Sequence, residues 1–345
     1  MKNKKFDPSG VGIPNGNYFG FPYTPDESNI LLVSVPWDVT TSYNAGSSQG
    51  PKAILEASTQ LDFFDPEIPN AWEFGIGTDP VSDEILTKSI WLRSEAEKVI
   101  NHLERGGSAS DLAVREALSE VNRGSEEIND WLYEKCRAAI DSEKLVGVVG
   151  GDHSVPLGLI KALSEKHNEF GILQIDAHAD LREAYEGFEN SHASIMYNAM
   201  NLESVKKIVH VGIRDICDEE ATLAEENEKL IIEYDYKLKE NSFIGISWFE
   251  QCRRIISKLP GKVYISFDID GLDQALCPNT GTPVPGGLSF NEAVFLIKSV
   301  VESGKKIIGF DLCEVAPGED EWDANVGARL LYKLSNLMYL SHQNI

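Results

Sequence analysis

Short apolar runs alternate along this chain with longer stretches whose apolar residues return every three or four positions. The runs at 29–36 (N-I-L-L-V-S-V-P), 145–149, 171–175, 207–211, 262–267 and 305–310 have the length and composition of strands. Amphipathic stretches near 155–166, 247–259, 289–302 and 325–340 predict helices. A further helical pattern, rich in Glu and Lys, covers 85–142 and is broken by R-G-G-S-A-S at 105–110. After the first strand, the loop S-Y-N-A-G-S-S-Q-G leads into another helix, with Pro51 suited to its first turn. Strands that are apolar throughout, rather than alternating, are buried on both faces. The expected fold is therefore a three-layer α/β/α arrangement around a central parallel sheet. No repeat, low-complexity tract or long linker divides the chain, so residues 1–345 are expected to form a single domain. Residues 1–28, rich in Gly, Pro, Asn and Tyr, are expected to be an irregular extension that wraps the domain or meets a neighbouring subunit.

Composition narrows the function. A hydrophobic fraction of 42% and 6 Trp residues support a large core. The net charge of -24 argues against a nucleic-acid partner, which needs clustered Lys and Arg, and fits a cationic ligand. Cys136, Cys217, Cys252, Cys277 and Cys313 are scattered and never form a C-x-x-C pair, so neither a disulfide framework nor a zinc ribbon is expected. Lys2, Lys4 and Lys5 precede no apolar stretch of signal-peptide type. No run approaches the roughly 18 apolar residues of a membrane span. The expectation is a cytoplasmic protein with no membrane partner.

Four of the apolar runs end in chemistry. L-V-G-V-V-G-G-D-H-S presents Asp152 and His153 after a Gly-Gly turn, and I-L-Q-I-D-A-H-A-D carries Asp176, His178 and Asp180 at alternate positions. V-Y-I-S-F-D-I-D-G-L-D carries Asp268 and Asp270, and I-I-G-F-D-L-C-E-V carries Asp311 and Glu314. In extended backbone, alternate residues project to one side, so Asp176, His178 and Asp180 are expected to converge. Parallel sheets bind ligands outside the carboxyl ends of their strands. Each motif alone could be a capped turn or a solvated acid. Together they place two His and four Asp at one edge, where carboxylates without cations would raise one another's pKa values. Such a set suits two divalent ions of the Mn, Co, Ni or Zn type better than one. Two-metal sites generate a nucleophile from water at neutral pH. With Glu314 beside the cluster, the chemistry suggested is hydrolysis at an electrophilic carbon of a cationic group.

The motifs G-G-D-H-S (150–154), D-A-H-A-D (176–180), S-F-D-I-D-G-L-D (266–273) and G-T-P-V-P-G-G-L (281–288) resemble the signatures of the ureohydrolases. That family includes arginase, agmatinase, guanidinobutyrase and formimidoylglutamase, and the similarity extends over about 30–340. The resemblance implies an arginase-like fold and two Mn²⁺ per subunit. His153 and Asp180 would bind one ion, His178 and Asp270 the other, and Asp176 and Asp268 would bridge them. Asp180 would also orient the attacking water, His192 in N-S-H-A-S would carry a proton to the leaving amine, and Glu314 would grip the guanidinium. Family members are commonly homo-oligomers, trimers or hexamers.

The loop 180–193 (D-L-R-E-A-Y-E-G-F-E-N-S-H-A) looks like that of agmatinases rather than arginases, and Cys217 stands where arginases carry an acid. The resemblance thus implies conversion of agmatine to putrescine and urea, with Glu183, Glu186 or Glu189 available to a cationic tail. The N-terminal G-V-G-I-P-N-G-N-Y-F-G-F-P, Trp37 in V-P-W-D, and Gln274 after Asp273 are similar instead to a subgroup that includes Ni²⁺-dependent guanidine hydrolases. A narrow aromatic pocket would favour guanidine, and an open one with a distal acid would favour agmatine. Guanidinobutyrase, arginase and formimidoylglutamase activities are further alternatives. A metallophosphoesterase would need motifs that are missing in their order, and an inactive binding paralogue would be expected to lack a ligand or His192.

Overall fold

Eight parallel strands form one sheet in the computed structural model, which describes residues 6–343. In chain order they are β1 (Ile30–Val35), β2 (Ile76–Asp79), β3 (Leu145–Gly150), β4 (Phe170–Ile175), β5 (Val205–Ile213), β6 (Leu230–Tyr234), β7 (Lys262–Asp268) and β8 (Lys306–Cys313). Their order across the sheet is β2-β1-β3-β8-β7-β4-β5-β6. The helices are α1 (Gly50–Ser58), α2 (Asp83–Glu104), α3 (Arg115–Asp141), α4 (Leu157–Lys166), α5 (Ile195–Met200), α6 (Asp218–Glu226), α7 (Asp235–Phe243), α8 (Trp248–Ile256), α9 (Phe290–Glu302) and α10 (Trp322–Leu340).

Successive side chains of each strand enter opposite cores. Leu173 and Ile175 of β4 pack with Ile54 of α1, Ile255 of α8, Leu296 of α9 and Leu330 of α10. Phe170 and Ile172 of the same strand pack with Leu92 of α2, Leu132 of α3 and Leu159 of α4. This is the expected three-layer α/β/α arrangement. Each expected strand and helix is present to within a few residues. The pattern missed β2, β6, α5, α6 and α7. The two strands are the short edges of the sheet, where fewer apolar residues are needed. Of the missed helices, α7 (D-Y-K-L-K-E-N-S-F) buries only Asp235 and Leu238.

The N-terminal segment is irregular apart from one 3-10 turn at Tyr18–Gly20, and it lies on this chain's own core. Tyr18, Phe19 and Phe21 are fully buried, the latter two against Phe63 and Tyr332. Tyr18 N–H donates to Thr78 Oγ1 of the edge strand β2 at 2.9 Å. Residues 1–5 of the expected extension lie outside the described residues. Among the described residues no helix is long and apolar enough to cross a membrane.

Candidate metal centre and substrate pocket

The four strands that carry the chemical motifs are neighbours, β3-β8-β7-β4, at the centre of the sheet. Because all strands are parallel, their carboxyl ends share one edge, and the motifs meet there. Two glycines permit the approach. A Cβ on Gly151 would lie 1.7 Å from Trp37 O, and one on Gly271 would lie 2.6 Å from Asp176 N. Arg214, at the end of β5, ties the loops together by donating to the carbonyls of Asp270 at 2.6 Å and Val284 at 2.9 Å.

The strand β4 stops at Ile175, and Asp180 adopts the left-handed conformation with φ 54°. His178 still forms an isolated parallel bridge to Asp215, so the extended chain that the alternate spacing suggested continues past the end of β4, and Asp180 departs from it. His153, Asp176 and Asp268 offer ligand atoms within 4.8 Å of one another, and so do Asp176, His178 and Asp270. Asp176 belongs to both sets. Its Oδ2 lies 3.0 Å from His153 Nδ1, and its Oδ1 lies 3.6 Å from His178 Nδ1. Asp180 Oδ2 joins the first set at 2.9 Å from His153 Nδ1, and Asp270 Oδ2 joins the second at 3.1 Å from His178 Nδ1. Asp268 Oδ2 is 3.5 Å from His153 Nδ1, while its Oδ1 accepts the N–H of Asp270.

Despite these short distances, His153 Nδ1, Asp180 Oδ2 and Asp270 Oδ2 are buried with no hydrogen-bond partner. Among the described residues each lies close to an opposite group without a well-directed hydrogen bond. Such orphaned atoms are costly unless something satisfies them. Two imidazoles and four carboxylates fit divalent ions of the Mn, Co, Ni or Zn type. Electrostatics agrees. Burial, then the charge of Asp176, pushes Asp180 up to about 7, and burial with Asp270 and Asp176 raises Asp268 well above the carboxylate range. Burial alone would lower His153 and His178, yet the surrounding carboxylates hold both well above the ordinary imidazole value. The cluster demands protons or cations.

Sequence reasoning missed the parts that hold these ligands. Ser266 Oγ donates to Asp311 Oδ2 at 2.8 Å and so accepts from His153 Nε2 at 2.9 Å, which leaves Nδ1 facing the carboxylates. Asp311, quoted with Glu314 as chemistry, is thus occupied by Ser266 and by Tyr264 OH. Asp152 is likewise occupied, by Thr40 and Ser154, and burial pushes it up to about 6. Glu314, at φ 62°, accepts His153 N–H through Oε1 at 2.9 Å and keeps Oε2 buried and unpartnered. Burial and the charge of Asp152 raise its pKa well above the usual range.

His178, Asp180 and His192 line a cavity of about 230 Å³ together with Tyr185, Asp215 and Cys217. Glu314 is not in its wall. The N–H of His192 donates to Thr40 Oγ1 at 3.2 Å, and its ring meets Tyr185 edge-on. Burial, with His178 and His153 nearby, lowers His192 to about 3. Arg182 and Glu220 belong both to this cavity and to a larger groove of about 730 Å³, which also contains Glu183 and Glu189. Glu186, the third acid expected near a cationic tail, lines neither. Trp37 is fully buried in the core and lines no part of the cavity.

The pattern that defines the Arginase family matches residues 28–336. The chain is 29% identical to the N(1)-aminopropylagmatine ureohydrolase of Synechocystis sp., over 89% of this chain and 88% of that protein. It is 28% identical to the agmatinase of Bacillus cereus, over 86% of this chain and 87% of the relative. Among solved structures, the proclavaminate amidino hydrolase of Streptomyces clavuligerus superposes with a TM-score of 0.72 at 20% identity, covering 97% of this chain and 100% of that one.

Proposed function

The chain belongs to the arginase family of ureohydrolases, which act on amidino C–N bonds, and from that premise we propose that it hydrolyses agmatine to putrescine and urea. One observation carries the reading at the site: His153 Nδ1, Asp180 Oδ2 and Asp270 Oδ2 are buried and unpartnered among the described residues, beside two candidate ligand sets that share Asp176. In this reading His153 and Asp180 would hold one Mn²⁺, His178 and Asp270 would hold a second, and Asp176 and Asp268 would be available to both, with Ni²⁺ as the alternative metal. Such ions supply Lewis acidity and a water acidified enough to act at neutral pH. Asp180 accepts a hydrogen bond from the attacking water. Glu314 lies outside the cavity wall, but its buried, unpartnered Oε2 would take the guanidinium N–H groups through charge-assisted bonds if the guanidinium reached it beyond that wall. His192, neutral because its pKa is held down, relays a proton to the departing amine as the C–N bond breaks.

The cavity supports a substrate with a tail. It exceeds what free guanidine needs, contains a single aromatic wall residue in Tyr185, and carries Asp215 as an acid for the tail, Glu220 being taken by the N–H groups of Leu181 and Cys217. The relatives named for agmatine and aminopropylagmatine hydrolysis point the same way. In the same reading residues 1–345 work as a single domain in the cytoplasm, in a homo-oligomer of trimer or hexamer type, with no nucleic-acid or membrane partner. The exposed Phe243, Ile244 and Phe249 around the α7–α8 turn support subunit association.

Urea release from agmatine, guanidine, 4-guanidinobutyrate and arginine, with Mn²⁺ and Ni²⁺ in parallel, tests the proposal. Agmatine is expected to turn over fastest. Turnover of guanidine alone would overturn the substrate, and release of urea from none of them would overturn the enzyme.

A further inference from the structure

Gln174 on β4 and His210 on β5 are register partners, and both side chains are fully buried. His210 Nδ1 meets Gln174 Oε1. The other end of the amide donates from Nε2 to Asp176 Oδ2 at 2.7 Å and lies 3.3 Å from the carbonyl of His178. Both of these partners are acceptors, so the amide nitrogen must face them; a flipped amide would set Oε1 against a carboxylate oxygen. Gln174 Oε1 is then obliged to face His210, and His210 must carry its proton on Nδ1. The ring has no competing attachment, for Nε2 is buried without a partner. Burial, opposed by the charge of Asp176, lowers His210 to about 4, so the ring is neutral at pH 7.

Asp176 is the acid whose two oxygens face both ligand sets, and a carboxylate torsion is intrinsically broad. Its Oδ1 accepts His178 N–H at 2.7 Å, and its Oδ2 accepts the Gln174 amide. Two fixed donors therefore hold the plane of this carboxylate. We propose that Gln174 and His210 are positioning residues: His210 locks the amide of Gln174, which in turn holds Asp176 in the orientation that serves both metal positions. The proposal rests on the two-metal reading of the site. It differs from a purely structural His–Gln pair in requiring that His210 act on metal binding, and only through Gln174.

Mn²⁺ affinity of the full-length protein, measured by competition with a chelating dye, tests it. His210→Leu and Gln174→Leu are each expected to weaken binding by about 10–100-fold, the usual range for partners that orient metal ligands. His210→Asn, whose amide nitrogen can take the place of Nδ1–H, is expected to restore most of the affinity. The double His210→Leu/Gln174→Leu variant is expected to bind no more weakly than Gln174→Leu alone. Native affinity in a folded His210→Leu protein, no rescue by His210→Asn, or additive losses in the double variant would each overturn the relay. Should His210→Leu fail to fold by circular dichroism, Gln174→Leu and His210→Asn decide. Near-native binding in His210→Asn with loss in Gln174→Leu supports the relay, and any other pairing overturns it. A wild-type protein that binds neither Mn²⁺ nor Ni²⁺ would instead overturn the two-metal reading underneath.

Discussion

The backbone N–H of His153 donates to Glu314 Oε1 at 2.9 Å, so a residue of the metal cluster and the acid proposed to hold the guanidinium are fixed to each other. They follow β3 and β8, which are neighbours in the sheet. The left-handed backbone at Glu314 costs on the order of 1–3 kcal/mol, and this bond is one of the contacts that hold it. In the proposed reading, one hydrogen bond thereby links the acid for the substrate to a metal ligand.

Glu314→Gln tests the grip. The amide keeps the size of the side chain and an acceptor for His153 N–H but removes the charge. A hydrogen bond to a charged group contributes about 1.5–3 kcal/mol, so kcat/KM for agmatine should fall roughly tenfold to hundredfold. Metal content should stay at the wild-type level. Steady-state kinetics with parallel metal analysis reads both, and an unchanged kcat/KM would remove Glu314 from the site.

Asp176→Asn tests the shared carboxylate. Metal content and urea release should be lost together, with Mn²⁺ affinity falling by more than the roughly 10–100-fold typical of residues outside the coordination sphere. Retained metal with lost activity would make Asp176 something other than a ligand.

His192→Asn separates proton transfer from binding. A positioned acid–base group typically contributes about 10²–10⁴-fold, so kcat should drop within that range while KM and metal content change little. Rapid-quench measurement of the first turnover distinguishes this from slowed product release. A first turnover at the wild-type rate would contradict the role.

The buried His210 makes stability depend on pH. Its pKa of about 4 in the folded protein lies below the ordinary value, so as pH falls the unfolded chain takes up a proton first. Its contribution is complete above about pH 6.5 and is lost progressively as pH falls toward 4, reaching about 3 kcal/mol. Denaturant unfolding of metal-free wild type and His210→Asn at pH 7.5 and pH 5 checks the sign: the wild type should lose more stability than the variant. Equal losses would contradict it.

The sequence made the ligands legible because metal-competent side chains sit at close spacing after apolar runs, as in D-A-H-A-D. Sheet order was not legible, and it is the order β3-β8-β7-β4 that turns four separate strand ends into one cluster. Residues that work across strands were hidden for the same reason. His210 meets Gln174 only through the register of β4 and β5, and Ser266 reaches His153 only because β7 lies near β3. The alternate spacing matched the extended pairing that persists to His178, but spacing alone cannot show the left-handed turn at Asp180. The loop acids divided in a way spacing could not foretell, with Glu183 and Glu189 in the outer groove and neither in the cavity.

The central claim is a two-metal hydrolytic centre, and stepwise metal reconstitution tests it most directly. Chelated protein titrated with Mn²⁺ while urea release from agmatine is followed should bind two ions per chain, with activity reaching its plateau only as the second site fills. A plateau at one ion per chain, or full activity in protein stripped of metal, would contradict the account.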